Sequence, residues 1–188
     1  MRARRPGRAA APLATLLVLG AGCLHTPPHD PLPGEVTRDV ERVDELTRDG
    51  APCLWESEQL RFAGADVWTH APPEELGWCP DGGEQAWMVE ILGRDGPFLS
   101  TLLVEADLGA GRRQARCVTW DLRTRKPSTL AAYDERHAER RVELLGLAVA
   151  KDPSLAGLPL DPEAFVVGGG HVRFCTFRGE ELVLVPVR

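Results

Sequence analysis

Residues 87–127 read WMVEILGRDGPFLSTLLVEADLGAGRRQARCVTWDLRTRKP, and the alternation within this stretch decides the fold. Apolar residues fall in strand-length blocks at Trp87–Leu92, Phe98–Asp107 and Arg113–Leu122. The sequences Arg94-Asp95-Gly96-Pro97 and Gly109-Ala110-Gly111 between them are turn formers. Three strands joined by short turns make an antiparallel meander. Because side chains alternate along a strand, Val118, Trp120 and Leu122 share one face of the third, while Ala115, Cys117 and Thr119 share the other.

Working outward, the periodicity changes after Pro127. Ser128 or Thr129 is placed to cap a helix that runs to Lys151, with Ala131, Ala138, Val142, Leu145 and Val149 on one face and Asp152-Pro153 as its stop. A loop rich in Gly, Pro and Leu leads to a strand at Ala164–Val167. Val172–Phe177 and Leu182–Val187 then pair across Arg178-Gly179-Glu180 as a closing hairpin. Gly168-Gly169-Gly170 reads as the turn into that hairpin, since no helix follows to make an anion-binding nest.

Upstream of the meander, Val36, Val40, Val43 and Leu46 recur at helical spacing and predict a short amphipathic helix over residues 35–48. Residues 50–85 hold much Pro, Gly and Trp without a sustained period. Irregular structure is expected there, with short strands around Leu54, Leu60–Phe62 and Val67–Thr69. The expected class is α+β: an antiparallel sheet packed on one long helix, with an irregular, disulfide-supported N-terminal portion, in a single domain over residues 35–188.

The run Thr119-Trp120-Asp121-Leu122-Arg123-Thr124-Arg125-Lys126, a long helix, then Leu160-Asp161-Pro162-Glu163-Ala164-Phe165-Val166-Val167 and a terminal strand pair resembles the C-terminal domain of the RsiV-type envelope proteins. In that family a phrase of the form "fDl.tGk" precedes the helix, and "pe.F" with a closing hairpin follows it. The resemblance spans roughly residues 98–188, with Arg125 where the family has Gly and Tyr133 as the chain's only tyrosine. It implies an extracytoplasmic domain; in the lysozyme-sensing anti-sigma factors of the family this domain contributes to binding lysozyme. No binding residues carry over.

The chain's start gives an address. Residues 1–22 hold Arg2, Arg4, Arg5 and Arg8, no acid, an apolar run Ala9–Leu19 and the small residues Gly20, Ala21 and Gly22 before Cys23. This is the layout of a secretory signal peptide, whose apolar run is roughly half the ~20 residues a spanning helix needs. Leu19-Gly20-Ala21-Gly22-Cys23 resembles the processing site of bacterial lipoproteins, which implies a lipidated Cys23. Leu24 follows, where Asp would signal inner-membrane retention, so the outer membrane is the implied location, facing the periplasm. His25 to Gly34 reads HTPPHDPLPG, a Pro-rich tether over residues 23–34 in which His25 and His29 are linker residues.

Charge supports this division. The whole chain is −6, from 22 Lys and Arg against 28 Asp and Glu; without the four leader arginines, 166 residues carry −10. An acidic domain argues against nucleic-acid binding. The chain has no Asn, one Ile and two Lys, a coding bias that makes its arginine content uninformative about phosphate recognition. With Cys23 assigned to lipid, Cys53, Cys79, Cys117 and Cys175 form an even set suited to an oxidising compartment. Three pairings are open; Cys53–Cys79 and Cys117–Cys175 are favoured because each stays within one half.

No catalytic template fits. His137-Ala138-Glu139 has the H-x-E half of a zinc deaminase, but no P-C-x-x-C follows. His171 and Cys175 are about 13 Å apart along a strand, too far for a thiolate–imidazole pair. The adjacent acids Glu74-Glu75, Asp134-Glu135 and Glu180-Glu181 point apart. No metal or cofactor site is read. One constellation remains, Trp55, Trp68, Trp78 and Trp87, as small-core residues or as an aromatic binding surface. The expectation is a non-catalytic, lipid-anchored envelope protein that binds peptidoglycan, a cell-wall enzyme or another envelope protein. The alternative is a secreted or periplasmic hydrolase whose site is assembled from distant residues.

Overall fold

The computed structural model describes residues 29–46, 50–70 and 83–187, with the side chains of 45 and 46 left aside. Strands β1 (Val36–Leu46), β2 (Pro52–Phe62), β3 (Ala65–Trp68), β4 (Gly83–Asp95), β5 (Phe98–Asp107), β6 (Arg112–Asp121) and β7 (Lys126–Pro127) come first. Helices α1 (Leu130–Tyr133) and α2 (Glu135–Lys151) follow, and β8 (Phe165–Gly168), β9 (His171–Arg178) and β10 (Glu181–Pro186) close the chain. The first seven strands form one curled, half-barrel sheet in the order β1-β2-β4-β5-β6-β7, with β3 also on β2; β10-β9-β8 form a second sheet. The meander β4-β5-β6 and the hairpin β9-β10 are antiparallel as the sequence implies, and Gly169 and Gly170, both at positive φ, make the β8–β9 turn.

The expected α+β class is corrected: the fold is β-dominated, and its large sheet does not pack on the long helix. Instead, the described residues form two cores. Leu60, Val89, Leu99, Leu103, Trp120 and Leu122 fill the curl of the large sheet. Leu130, Tyr133, Ala138, Leu144 and Leu145 of the helices pack on Phe165, Val167, Phe174 and Val185 of the small sheet. A sheet that curls on itself buries its own inner face, so the helix is left to cover the second sheet.

The predicted helix over residues 35–48 is also corrected. It is β1, paired with β2 along its whole length from Val36↔Phe62 to Leu46↔Pro52. Spacings of four and three suit a helix, but β-branched valines interleaved with charge suit a half-exposed strand equally. The charges settle the matter by reaching across: Arg61–Asp39 at 3.1 Å, Arg42–Glu56 and Arg38–Glu58 at 3.9 Å, and Gln59 to Glu41. Similarly, the irregular portion expected before residue 85 is mostly β2 and β3. In β2, Cys53, Trp55 and Ser57 are buried in alternation, then Leu60 and Phe62. The buried set changes parity between Ser57 and Leu60 as the strand coils, which erases the period-two signal.

Within the helical segment, Asp134 ends α1 and caps α2, its carboxylate accepting from the Arg136 and His137 N–H groups. This break resets the helical phase. Val142 is therefore 71% exposed, and the buried stripe is His137, Ala138, Leu144 and Leu145.

The two sheets are joined through β8, which lies across β4, β5 and β6. A relay of buried hydroxyls holds it: Val167 N–H donates to Ser100 Oγ (2.8 Å), Ser100 to Thr119 Oγ1 (2.8 Å), and Thr119 to the Phe165 carbonyl (2.8 Å). A Cβ at Gly93 would run into the Val167 carbonyl, so β4 needs glycine at that crossing. The expected Cys117–Cys175 disulfide adds a covalent link from β6 to β9, with Cα atoms 6.4 Å apart. Cys53 is buried and disulfide-bonded; Cys79 lies outside the described residues.

Part of the Pro-rich stretch expected as a tether over residues 23–34 is docked on the fold. The His29 N–H donates to Asp95 (3.1 Å), the His29 ring lies 5.0 Å from Phe98 and 4.9 Å from Tyr133, and Arg94 Nη2 donates to the Leu32 carbonyl (2.6 Å). Residues 1–28, with Cys23 and His25, lie outside the described residues. Among the described residues no helix is long and apolar enough to cross a membrane.

Candidate functional site

Parallel pairing of β2 with β4 puts Trp55 opposite Gln85 and Ser57 opposite Trp87, so both indoles share the inner face of the sheet. Their ring centroids are 5.5 Å apart. Just past β3, the exposed His70 imidazole stacks on Trp87 at 4.0 Å and lies 6.2 Å from Trp55. Trp55 is fully buried and its indole N–H has no acceptor among the described residues. Trp87 is 8% exposed, and Trp68 is half-buried at the lip of the curl.

A groove of about 230 Å³ opens there, walled by Trp68, Trp87, Glu105, Gln114 and Arg116. A second, of about 240 Å³, shares Trp87, Glu105 and Gln114 and adds Gln85, Asp107 and Arg112. At its end the Arg112 guanidinium sits 2.7 Å from Asp107 and, with the Ala110 N–H, holds that carboxyl below its ordinary range. The wall is therefore aromatic with amide, carboxylate and guanidinium groups on its rim. Such surfaces bind by stacking and polar contacts. A third groove, about 450 Å³, lies on the other face of β6 over the Cys117–Cys175 disulfide, between Pro127, Pro159 and Phe177.

The structure thus gathers Trp55, Trp68 and Trp87 from the expected tryptophan set; Trp78 lies outside the described residues. Trp55 is entirely core, and only Trp68 and the edge of Trp87 line open space. Of the residues considered for catalysis, His137 and Glu139 line none of these grooves, and Cys175 lines the third only as a disulfide. His137 is 1% exposed with Nδ1 3.1 Å from Asp134, as part of the helix cap, and Glu139 is exposed. Cys175 is in its disulfide. Among the described residues no three His, Cys, Asp or Glu side chains are grouped to hold a metal.

Sequence reading missed His70 and the Asp95–Tyr133–His29 junction. His70 follows a strand with no motif around it. The junction joins residues 66 and 38 apart, and no local motif links them.

No family model matches the sequence, and no curated protein matches it. Among solved structures the chain is similar to a DUF3298-family protein of Bacteroides fragilis, with 12% identity, 82% of this chain and 90% of that one covered, and a TM-score of 0.46. It is also similar to a DUF3298-family protein of Pseudomonas aeruginosa, with 14% identity, 84% and 91% covered, and a TM-score of 0.46.

Proposed function

We propose that the chain is a lipid-anchored protein of the bacterial cell envelope, held on the outer membrane through Cys23, that acts without catalysis as a binding module for an envelope protein or glycan. The address rests on the Arg-rich leader, the apolar run and the cysteine that follows it. A disulfide between the sheets suits an oxidising compartment.

The observation that carries the binding role is the polarity of β4. The N-terminal segment meets the fold at Asp95, while the aromatic grooves open beside Trp87, eight residues back along the strand. At about 3.3 Å per residue that is about 25 Å. A protein hung by its N-terminus from a membrane therefore presents the grooves on its far end. Its acidic body is repelled by anionic headgroups, which leaves membrane contact to the acyl chains.

The test is photo-crosslinking in cells, with a photoreactive residue at Gln114 in the groove or at Glu143 on the helix. Discrete adducts from position 114 and none from 143 are expected; the same adducts from both, or none from either, would defeat the binding role.

A further inference from the structure

We propose that the free edge of β6 is a strand-addition site for an acidic, extended segment of a partner polypeptide. The proposal rests on the binding-module reading and names the chemistry of the partner.

One side of β6 is fully paired with β5, from Arg112↔Asp107 to Asp121↔Phe98. On the other, only Trp120 and Asp121 meet β7. Ser128 N–H donates to the Thr119 carbonyl and Arg125 N–H to that of Asp121, so odd-numbered residues turn their backbone groups to this outer side. By alternation Arg113, Ala115 and Cys117 do the same, and among the described residues no backbone group meets theirs. Such an edge is a template for another strand unless it is covered or repelled.

The unpaired charges on this edge have one sign. Arg113 and Arg116 on the strand, and Arg125 and Lys126 at the turn after it, have no acidic partner among the described residues, in a chain whose net charge is −6. Arg112 is paired with Asp107, and Arg123 with Asp121. Of the acids across the disulfide groove, Glu163 is paired with Arg141 (3.0 Å), and Asp161 accepts the Glu163 N–H (2.8 Å).

An added strand sends alternate side chains to opposite faces. Here each face has a groove to receive them: Trp68 and Trp87 on one side, Pro127, Pro159 and Phe177 on the other. Unpaired backbone donors and acceptors favour a polypeptide over a glycan. Unpaired guanidinium groups favour acidic side chains, and the apolar walls favour aliphatic ones between them.

The probe is a fluorescent, end-capped octapeptide of alternating Glu and Val, titrated onto the purified full chain. Binding in the micromolar range is expected, with slowed amide exchange at Arg113, Ala115 and Cys117. Arg113→Glu with Arg116→Glu, both exposed positions, should weaken binding at least tenfold without changing the thermal midpoint. A Lys-Val octapeptide, or the Glu-Val peptide N-methylated at alternate residues, should not bind. No binding at millimolar peptide, equal binding by the double variant, or tighter binding of an acidic oligosaccharide would overturn the proposal. If the peptide fails while position 114 still yields crosslinks, strand addition alone falls; if both fail, the binding-module reading falls with it.

Discussion

The hydroxyl of Tyr133 donates to a buried Asp95 carboxylate at 2.6 Å, and the other oxygen of that carboxylate accepts the His29 N–H. Burial, then the Asp95 hydrogen bond, then the Asp95 and Asp134 charges push the phenol well above its usual range. A buried hydrogen bond to a charged group contributes about 1.5–3 kcal/mol, and Tyr133→Phe should cost that much in a denaturant melt. The sign of the pH effect follows from the raised value. The contribution is full below the unfolded tyrosine pKa of about 10 and is lost as pH rises above it. Since Tyr133 is the only tyrosine, tyrosinate absorbance should rise together with unfolding, not before it, on alkaline titration. Two other residues sit where L side chains are strained: Ala63 at φ 50 and Arg125 at φ 57. Left-handed backbone costs about 1–2 kcal/mol, partly offset by the entropy that glycine adds to the unfolded chain. Arg125→Gly should therefore raise stability by about 0.5 kcal/mol in the same melt.

Among the elements, the join between sheets is the feature on which most depends. Ser100→Ala would strand the Val167 N–H and remove the middle of the hydroxyl relay, at a cost of about 1–3 kcal/mol by equilibrium denaturation. Opening the Cys117–Cys175 bridge, which spans 58 residues, should cost about 4 kcal/mol in the chain-entropy model, read as the loss on Cys117→Ser with Cys175→Ser. This join was partly legible. Parity set Cys117 and Thr119 together on the outer face of their strand, and that face is the one that meets β8. The meander and closing hairpin were legible because glycine turns separate their apolar runs. Strand β1 was not, because Val36, Val40 and Val43 fit the helical period, whereas strand alternation puts Val43 on the face opposite Val36 and Val40, and only pairing with β2 reveals the strand. The partner of α2 was not legible either. A stripe of leucines reports that something is covered, not which sheet it covers.

At the scale of the molecule, the tryptophan set pointed to the right region, but burial took Trp55 into the core and left Trp68 with the edge of Trp87 at the surface. The cationic edge of β6 was hidden because arginine is abundant throughout the chain; it emerges only when ion pairs are assigned. The Pro-rich composition predicts a tether to Gly34, yet His29 and Leu32 are already held by Asp95 and Arg94. Docking at that end is what would orient the grooves away from the proposed anchor. That orientation requires lipid on Cys23. The most direct measurement is metabolic labelling with a radioactive fatty acid, followed by fractionation of bacteria expressing the full chain or Cys23→Ala. The full chain should carry label and sediment with the outer membrane, and Cys23→Ala should lose both. Label and sedimentation unchanged by the substitution would contradict the account.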